Sequence, residues 1–263
     1  MSVSQLVFKN APVPDTDSKV YQWVGFGVFA VGAATMLVLS RGKTVSERKF
    51  HQMLGIVMVF VGLSYYSQAI GMGVVVVDGR PVPVSRYVDW ILSTPIVLGS
   101  ILNLAGADFN RILFLGAMDA SMMACTLLGA LTTQSEKWGF FTMGAIIFLG
   151  IVYDLFATHR PAALEISAHH GKVFNHLSFS LVALWACYPV AYIIGTTMRI
   201  LSPEMETLAF LILDILTKAA WGGYLIARTG ELEGRMGKVP AKLAEYQRIR
   251  GDSEETLEDT IGA

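Results

Sequence analysis

Charged residues are scarce in this sequence. They make up 16% of its 263 residues, whereas hydrophobic residues make up 53%. A soluble domain usually carries about a quarter charged residues. The net charge of −1 provides no broad basic surface, so we predict no nucleic-acid partner. The composition therefore argues against a soluble globular protein.

Cysteine is rare as well. Cys125 and Cys187 both lie inside apolar runs, and we interpret them as small core residues rather than as a disulfide or a metal site. The sequence also lacks a nucleotide-binding loop, a cluster of metal ligands and a nucleophile triad, so we predict neither a metal site nor an enzyme. The N-terminal segment has no signal-peptide pattern, so the first apolar run is predicted to be a retained span.

Long apolar runs, by contrast, are abundant. A run of about 20 apolar residues crosses a bilayer as a helix. The sequence therefore predicts an all-α membrane protein, a bundle of seven transmembrane helices in contact with lipid. The predicted spans are Tyr21–Leu39, His51–Gly71, Val84–Leu104, Ile112–Leu131, Trp138–Thr158, Phe174–Thr196 and Thr207–Ala227.

The connections between the spans predict a hairpin and an orientation. Asp78-Gly79, flanked by β-branched residues, predicts a short extracellular β-hairpin between the second and third spans. Lysine and arginine are concentrated in the first loop, the fifth connection and the C-terminal tail. The positive-inside rule then places the N-terminus outside the plasma membrane and the C-terminus in the cytoplasm. We predict a membrane domain over residues 1–229 and a polar cytoplasmic tail over 230–263.

A few ionisable residues lie inside the spans, where a charge is costly unless it faces an interior cavity. Asp214 precedes Lys218 by four residues and shares its helix face, and Arg86 and Asp89 share a face in the same way. A buried lysine beside a carboxylate fits a simple ion pair and equally a lysine used for Schiff-base chemistry. With Lys218 charged, Asp89 and Asp214 would balance it, and Arg86 would balance the second carboxylate.

Aromatic residues in the spans fit a pocket for a long, flat, conjugated ligand, although ordinary core packing would explain any one of them. They are Tyr65, Trp90, Phe141, Trp185, Tyr188 and Tyr192.

Three segments resemble those of microbial rhodopsins. They read RYVDWILSTP over residues 86–95, WACYP over 185–189 and LDILTK over 213–218. The resemblance extends over all seven spans and the hairpin. It implies that Lys218 carries all-trans retinal as a Schiff base, and that the chain is activated by light.

The same resemblance implies roles for the charged residues. Asp89 corresponds to the primary counterion and proton acceptor, Asp214 to the second counterion, and Arg86 to a gate toward the outside. Glu206 matches one member of a proton-release pair, whose partner position holds Thr197.

The resemblance also implies a set of residues around the retinal. Trp90 and Trp185 would enclose the polyene, and Thr94 and Asp119 would form a hydrogen-bonded pair between the third and fourth helices. The remaining implied contacts are Tyr65, Met122, Phe141, Gly144, Tyr188, Pro189 and Thr217.

One position departs from the pattern of outward proton pumps. Ser100 stands where such pumps carry the carboxylate that returns a proton to the Schiff base. A serine is not a general acid, so that return should be slow. Phe141, Gly144 and Thr217 resemble sensory members of the family. We therefore predict a sensory photoreceptor with a slow photocycle, working with an unidentified signalling partner and as a homo-oligomer.

Two other functions stay open. Asp89, Asp214, Arg86 and Glu206 are also compatible with an outward proton pump of low turnover. Thr94 and Asp119 would also suit a light-gated ion channel. Away from this site, we interpret the five histidines as surface residues. We interpret Asp154 as a structural residue, near the cytoplasmic end of its span where solvation is cheap.

Overall fold

Seven long helices form the protein in a computed structural model that describes residues 16–43 and 45–236. Each is long and apolar enough to cross a membrane, which confirms the predicted count. Most of the predicted tail lies outside the described residues, although the last helix continues into its first part, to Met236. We number the spans 1 to 7: Thr16–Leu39, Val45–Ala69, Val84–Leu104, Phe109–Leu131, Lys137–Ile166, Ala168–Thr197 and Pro203–Met236.

The spans pack around span 3. Of the residues in its apolar stretch, 67% are buried, whereas only 22% are buried in the corresponding stretches of spans 1 and 5. Span 5 exposes large apolar side chains such as Ile146, Leu149 and Tyr153. Such apolar outer faces suit contact with lipid rather than water. The chain is therefore a multi-pass integral membrane protein.

Spans 5, 6 and 7 each contain one turn of π-helix. These turns are Leu155–His159, Ile193–Thr197 and Ile215–Ala220, and the last contains Lys218. A π-turn widens the helix locally and often occurs at functional sites. Span 6 is also interrupted at Ala186. Pro189 explains that break, because it has no N–H to donate to the carbonyl of Trp185.

A two-stranded hairpin closes one end of the bundle, as predicted. Strands β1 (Val74–Val77) and β2 (Arg80–Pro83) pair antiparallel. Asp78 and Gly79 join them with φ angles of 51° and 75°. Two positive φ angles in a two-residue loop are typical of a type I′ turn, which favours Gly and Asp. We call this side the hairpin end and the other side the opposite end.

Several predictions about single residues were wrong. His51, His159 and His170 are buried, and so is Asp154, whose Oδ2 lies 3.0 Å from His159 Nε2. Spans 2, 5 and 6 extend past their predicted boundaries at the opposite end, and these residues therefore pack inside the bundle. Cys187 is exposed on the outer face instead of lying in the core, because it follows the break in span 6.

Candidate functional site

Lys218 lies at the centre of the bundle between two carboxylates. Its Nζ lies 2.9 Å from Asp89 Oδ2 and 3.1 Å from Asp214 Oδ1. All three residues are at most 4% exposed. Asp214 ends the first α-helical segment of span 7, one turn before Lys218, while Asp89 comes from span 3. A buried charge is stable only when it is paired, and Lys218 has two partners of opposite sign.

The two carboxylates differ in how they are held. Tyr65 donates to Asp214 Oδ2 at 2.8 Å, and Tyr188 donates to Asp214 Oδ1 at 2.9 Å. Asp89 uses Oδ2 for Lys218, whereas its Oδ1 has no hydrogen-bond partner within the described residues. Hydrogen bonds to a carboxylate stabilise its charged form. Asp214 therefore accepts a hydrogen bond on each oxygen, whereas Asp89 has one oxygen without such a bond among the described residues.

A cavity of about 120 Å³ opens beside Lys218. Its wall is mostly aromatic and aliphatic, with contributions from spans 3 to 7. The lining residues are Trp90, Thr94, Val97, Met122, Met123, Thr126, Phe141, Gly144, Ala145, Phe148, Trp185, Tyr188, Pro189, Tyr192, Thr217 and Lys218.

This cavity fits the chemistry of retinal. The amine of Lys218 can form a C=N bond with an aldehyde, and the apolar wall suits a polyene. Asp89 and Asp214 can balance the positive nitrogen that results. Near the amine, the buried Trp90 Nε1 and Ser93 Oγ also have no hydrogen-bond partner within the part of the chain that the structure describes.

Ten of the twelve residues predicted to contact the cofactor line this cavity, and Tyr65 and Asp119 do not. Tyr65 does not reach the cavity, but it donates a hydrogen bond to Asp214. Asp119 is fully buried and its Oδ2 lies 2.5 Å from Thr94 Oγ1, which itself lines the cavity. The predicted link between spans 3 and 4 is therefore present in the structure.

Other lining residues were missed, although helical spacing was available to find some of them. Phe141, Gly144, Ala145 and Phe148 follow the i, i+3, i+4, i+7 pattern of one helix face. The same spacing relates Trp90, Thr94 and Val97 by i, i+4, i+7. Met123 and Thr126 were also missed; the two adjacent methionines leave the facing residue ambiguous.

Toward the hairpin end, a second group of paired charges surrounds Glu206. Arg86 Nη1 lies 3.2 Å from Glu206 Oε1, and Arg86 also stacks over the ring of Phe210. Arg86 was expected to balance Asp214, but its ion pair is with Glu206. Arg80 of the hairpin, which the sequence did not single out, also contacts this carboxylate at 2.6 Å.

The release-pair position also differs from the expectation. Thr196, rather than its neighbour Thr197, donates to Glu206 Oε1 at 2.8 Å. The π-turn of span 6 includes both threonines, and it shifts which side chain faces span 7.

Toward the opposite end, the surroundings of span 3 are apolar. Ser100 is fully buried, and its hydroxyl donates to the carbonyl of Val97, one turn back in its own helix, at 2.6 Å. Leu98, Ile101, Leu177 and Leu181 are fully buried in the same half. Polar links described there end on backbone carbonyls: Trp221 Nε1 donates to Leu177 at 3.1 Å, Asn103 Nδ2 donates to Gly99 at 3.0 Å, and His170 Nε2 lies 2.5 Å from the carbonyl of Leu104.

Comparison with known proteins agrees with this architecture. A family model described as "Bacteriorhodopsin-like protein" matches residues 16–231. The chain is 28% identical over 217 residues to Sensory rhodopsin-2 of Natronomonas pharaonis, which covers 82% of this chain and 91% of that protein. It is 30% identical over 224 residues to Archaerhodopsin-2 of Halobacterium sp. (strain aus-2), which covers 80% of this chain and 86% of the other.

Solved structures show the same fold. A light-driven proton pump rhodopsin of Coccomyxa subellipsoidea superposes with a TM-score of 0.77 at 25% identity, over 81% of this chain and 96% of that one. The named relatives therefore include both a sensory protein and a pump.

Proposed function

Because this chain belongs to the bacteriorhodopsin-like family, whose members bind retinal covalently through a lysine, we propose that it is a sensory photoreceptor that recovers slowly after light. Lys218 is the proposed attachment residue, since its amine opens onto the apolar cavity. Retinal joined to Lys218 would absorb light and supply a positively charged nitrogen, whose surroundings would change when the polyene changes shape.

Asp89 is the proposed acceptor of the proton held on Lys218 Nζ. It is the nearer carboxylate, at 2.9 Å, and its Oδ1 is not engaged by another described residue. Asp214 keeps its charge, because both of its oxygens accept a bond from a phenol. The proton therefore moves toward the hairpin end, while the negative charge of Asp214 does not change.

The position of Ser100 is the main observation that supports slow recovery. The proton must return to Lys218 Nζ from the opposite half, where Ser100 is fully buried among aliphatic side chains. Its hydroxyl is already bonded to Val97 and is far too weak an acid to donate a proton. The return then depends on solvent protons that cross an apolar layer. A long-lived active state suits signalling better than rapid transport.

Flash photolysis of the chain, purified with all-trans retinal, tests this proposal. Recovery of the initial colour should take longer than about a second, and it should slow as pH rises because fewer protons are available. Azide, a small weak acid that can carry protons, should accelerate recovery at least about tenfold. Recovery within milliseconds, unaffected by azide and by pH, would contradict the proposal.

An outward proton pump of low turnover is the second candidate. Two groups of paired charges between Lys218 and the hairpin end favour it, because they provide ionisable groups on that side of the bundle. Illuminating cells that express the chain should then acidify the medium, and an uncoupler should abolish that change. Absence of such acidification would exclude the pump and leave the sensory photoreceptor as the proposed function. The described residues around Ser100 in the opposite half are mostly aliphatic, so the geometry does not favour a light-gated channel.

The orientation and assembly of the chain are also proposals. We propose that the N-terminus and the hairpin lie outside the plasma membrane and that residues 230–263 form a cytoplasmic tail, since basic residues concentrate in the loops opposite the hairpin. We further propose a homo-oligomer and a signalling partner. Protease cleavage of the tail in inverted but not in right-side-out vesicles would support the orientation, and crosslinking in membranes would report the assembly.

A further inference from the structure

Glu206 lies between two guanidinium groups. Arg80 Nη2 lies 2.6 Å from its Oε2, and Arg86 Nη1 lies 3.2 Å from its Oε1. The hydroxyl of Thr196 donates to Oε1 at 2.8 Å. Gly195 makes room for this side chain, because a Cβ there would lie 2.9 Å from Glu206 Cγ. The carboxylate therefore receives two cations and a hydroxyl in a site that is almost closed to solvent.

Arg80 is held in place by the hairpin. It is the first residue of β2, and it pairs with Val77 across the tight turn. Its Nη2 also donates to the carbonyl of Leu201, in the connection between spans 6 and 7, at 2.9 Å. The side chain is only 12% exposed. Arg80 thus ties the hairpin to the connection while its charge faces Glu206.

Two groups of buried charges lie in the hairpin half. Lys218 pairs with Asp89 and Asp214, which gives one positive and two negative side chains. Glu206 pairs with Arg86 and Arg80, which gives one negative and two positive side chains. The paired atoms lie within 3.2 Å. The two groups taken together balance when Arg80 is included. Without Arg80 they would carry one excess negative charge in a poorly solvated region, which is costly.

We propose that Arg80 is a positioning residue that holds Glu206 as a permanent anion, so that no proton leaves the hairpin end early in the light cycle. A carboxylate that accepts bonds from two guanidinium groups has no proton to release. The proton taken by Asp89 must then stay there until late in the cycle. This inference rests on the proposed transfer from Lys218 to Asp89 and adds when the proton leaves.

Other titratable groups surround Glu206 and must be told apart from it. Tyr87 of span 3 and Tyr192 of span 6 lie close enough to interact with its charge. Lys137 of span 5 donates to the carbonyl of Thr197 at 3.1 Å, and Glu204 lies half a turn earlier in span 7. For this reason the measurements compare each variant with the same variant carrying Glu206→Gln.

Arg80→Gln in the full chain tests the proposal. In the dark, infrared titration should reveal one protonated carboxylic acid in Arg80→Gln that is absent from the parent and from Arg80→Gln/Glu206→Gln. After a flash, a dye on the hairpin side should report proton release at least about tenfold earlier than in the parent. Arg80→Lys keeps the charge and should resemble the parent more closely.

Arg199→Gln is the matched control. Arg199 also contacts the hairpin, at 3.1 Å from Asp78 Oδ2, but its side chain is 35% exposed. Its removal should leave both measurements unchanged. If Arg80→Gln behaves like Arg199→Gln, the proposal is wrong.

The parent provides an independent check if Arg80→Gln does not fold. An early proton release in the parent that Glu206→Gln removes would overturn the inference, and so would a protonated Glu206 in the dark. Failure of the proposed function looks different, because the chain would then form no pigment or complete no light cycle. The dark titration would still decide the role of Arg80 in that case.

Discussion

The two halves of the bundle on either side of Lys218 are built from different chemistry. Toward the hairpin, successive ion pairs join Lys218 to Asp89 and Asp214, and join Glu206 to Arg86 and Arg80. Toward the opposite end, aliphatic side chains and Trp221 fill the space around the buried hydroxyl of Ser100. Among the described residues, the charged pairs at that end lie near the surface, where Arg111 meets Asp154 and Arg228 meets Glu231.

This difference indicates where a proton can move easily. Ionisable groups lower the cost of placing a proton inside a medium of low polarity, whereas an aliphatic layer offers no such site. In the proposed function the proton therefore leaves Lys218 toward Asp89 quickly and returns slowly. The asymmetry of the two halves agrees with the position of Ser100, and both support the proposal of a long-lived active state.

Removing Lys218 should have the largest effect, because it abolishes the centre that the two halves share. Lys218→Ala should form no visible pigment with retinal, and Asp89 and Asp214 would lose their cation. Truncating one partner of a buried ion pair costs about 3–5 kcal/mol. An absorption spectrum and a thermal melt check both expectations. Lys172→Ala, at an exposed position of span 6, is the control and should retain full colour. Pigment in Lys218→Ala would contradict the assignment.

Asp89→Asn and Asp214→Asn should separate the two carboxylates. Asparagine cannot accept the proton of Lys218 Nζ, so Asp89→Asn should reduce the light-induced deprotonated state by about a hundredfold or more. Asp214→Asn should retain that state, because Asp89 keeps its free oxygen. Transient absorption in the near ultraviolet measures the deprotonated nitrogen. Equal losses in both variants would show that the hydrogen bonds from Tyr65 and Tyr188 do not distinguish the carboxylates.

Much of the hairpin half could be predicted from the sequence, because its ionisable residues stand out in otherwise apolar spans. An ionisable residue in an apolar span is conspicuous, and this marks Lys218, Asp89 and Asp214 as candidates, whose roles were then implied by the family resemblance. The turn at Asp78-Gly79 was equally clear. Arg80 was not, since it lies in a connection where arginine is ordinary, and its partner Glu206 is 126 residues away. No local pattern encodes such a contact.

The opposite half was harder to predict in detail. Its spans continue past the points where hydropathy falls, so polar residues such as His159 and His170 were expected on the surface. They are buried because neighbouring helix ends pack over them. The π-turns also escape hydropathy, because one inserted residue alters the helix face without changing composition. Side-chain packing in three dimensions, not periodicity, decides both features.

Ser100→Asp would place a carboxyl group, of the kind found in the hairpin half, in the apolar half. The new carboxyl group supplies a proton donor on the return path, so recovery should accelerate about ten- to a hundredfold and lose its response to azide. Ser100→Ala is the control, and it should recover at the parent rate because the serine hydroxyl takes no part in the return. Flash photolysis measures each rate. Unchanged recovery in Ser100→Asp would mean that the apolar layer does not limit the return.

The charges at the far surface of the opposite half should matter least to the light cycle. Asp154 contacts Arg111 and His159, and it also accepts a bond from Thr158 at 3.3 Å, so this cluster holds the π-turn of span 5 against span 4. Arg111 is 38% exposed, and solvent therefore weakens its contribution to about 1 kcal/mol. Arg111→Gln should lower the melting temperature by about 2–4 °C.

Recovery after light should stay within about twofold of the parent in this variant, because no described link joins the cluster to Lys218. Arg228→Gln is the matched control. It breaks an exposed pair with Glu231 at 2.7 Å, which should change neither stability nor recovery. Thermal loss of colour and flash photolysis together check these expectations. If Arg111→Gln slowed or accelerated recovery severalfold, the far cluster would belong to the proton path, and the opposite half could no longer be described as an apolar barrier.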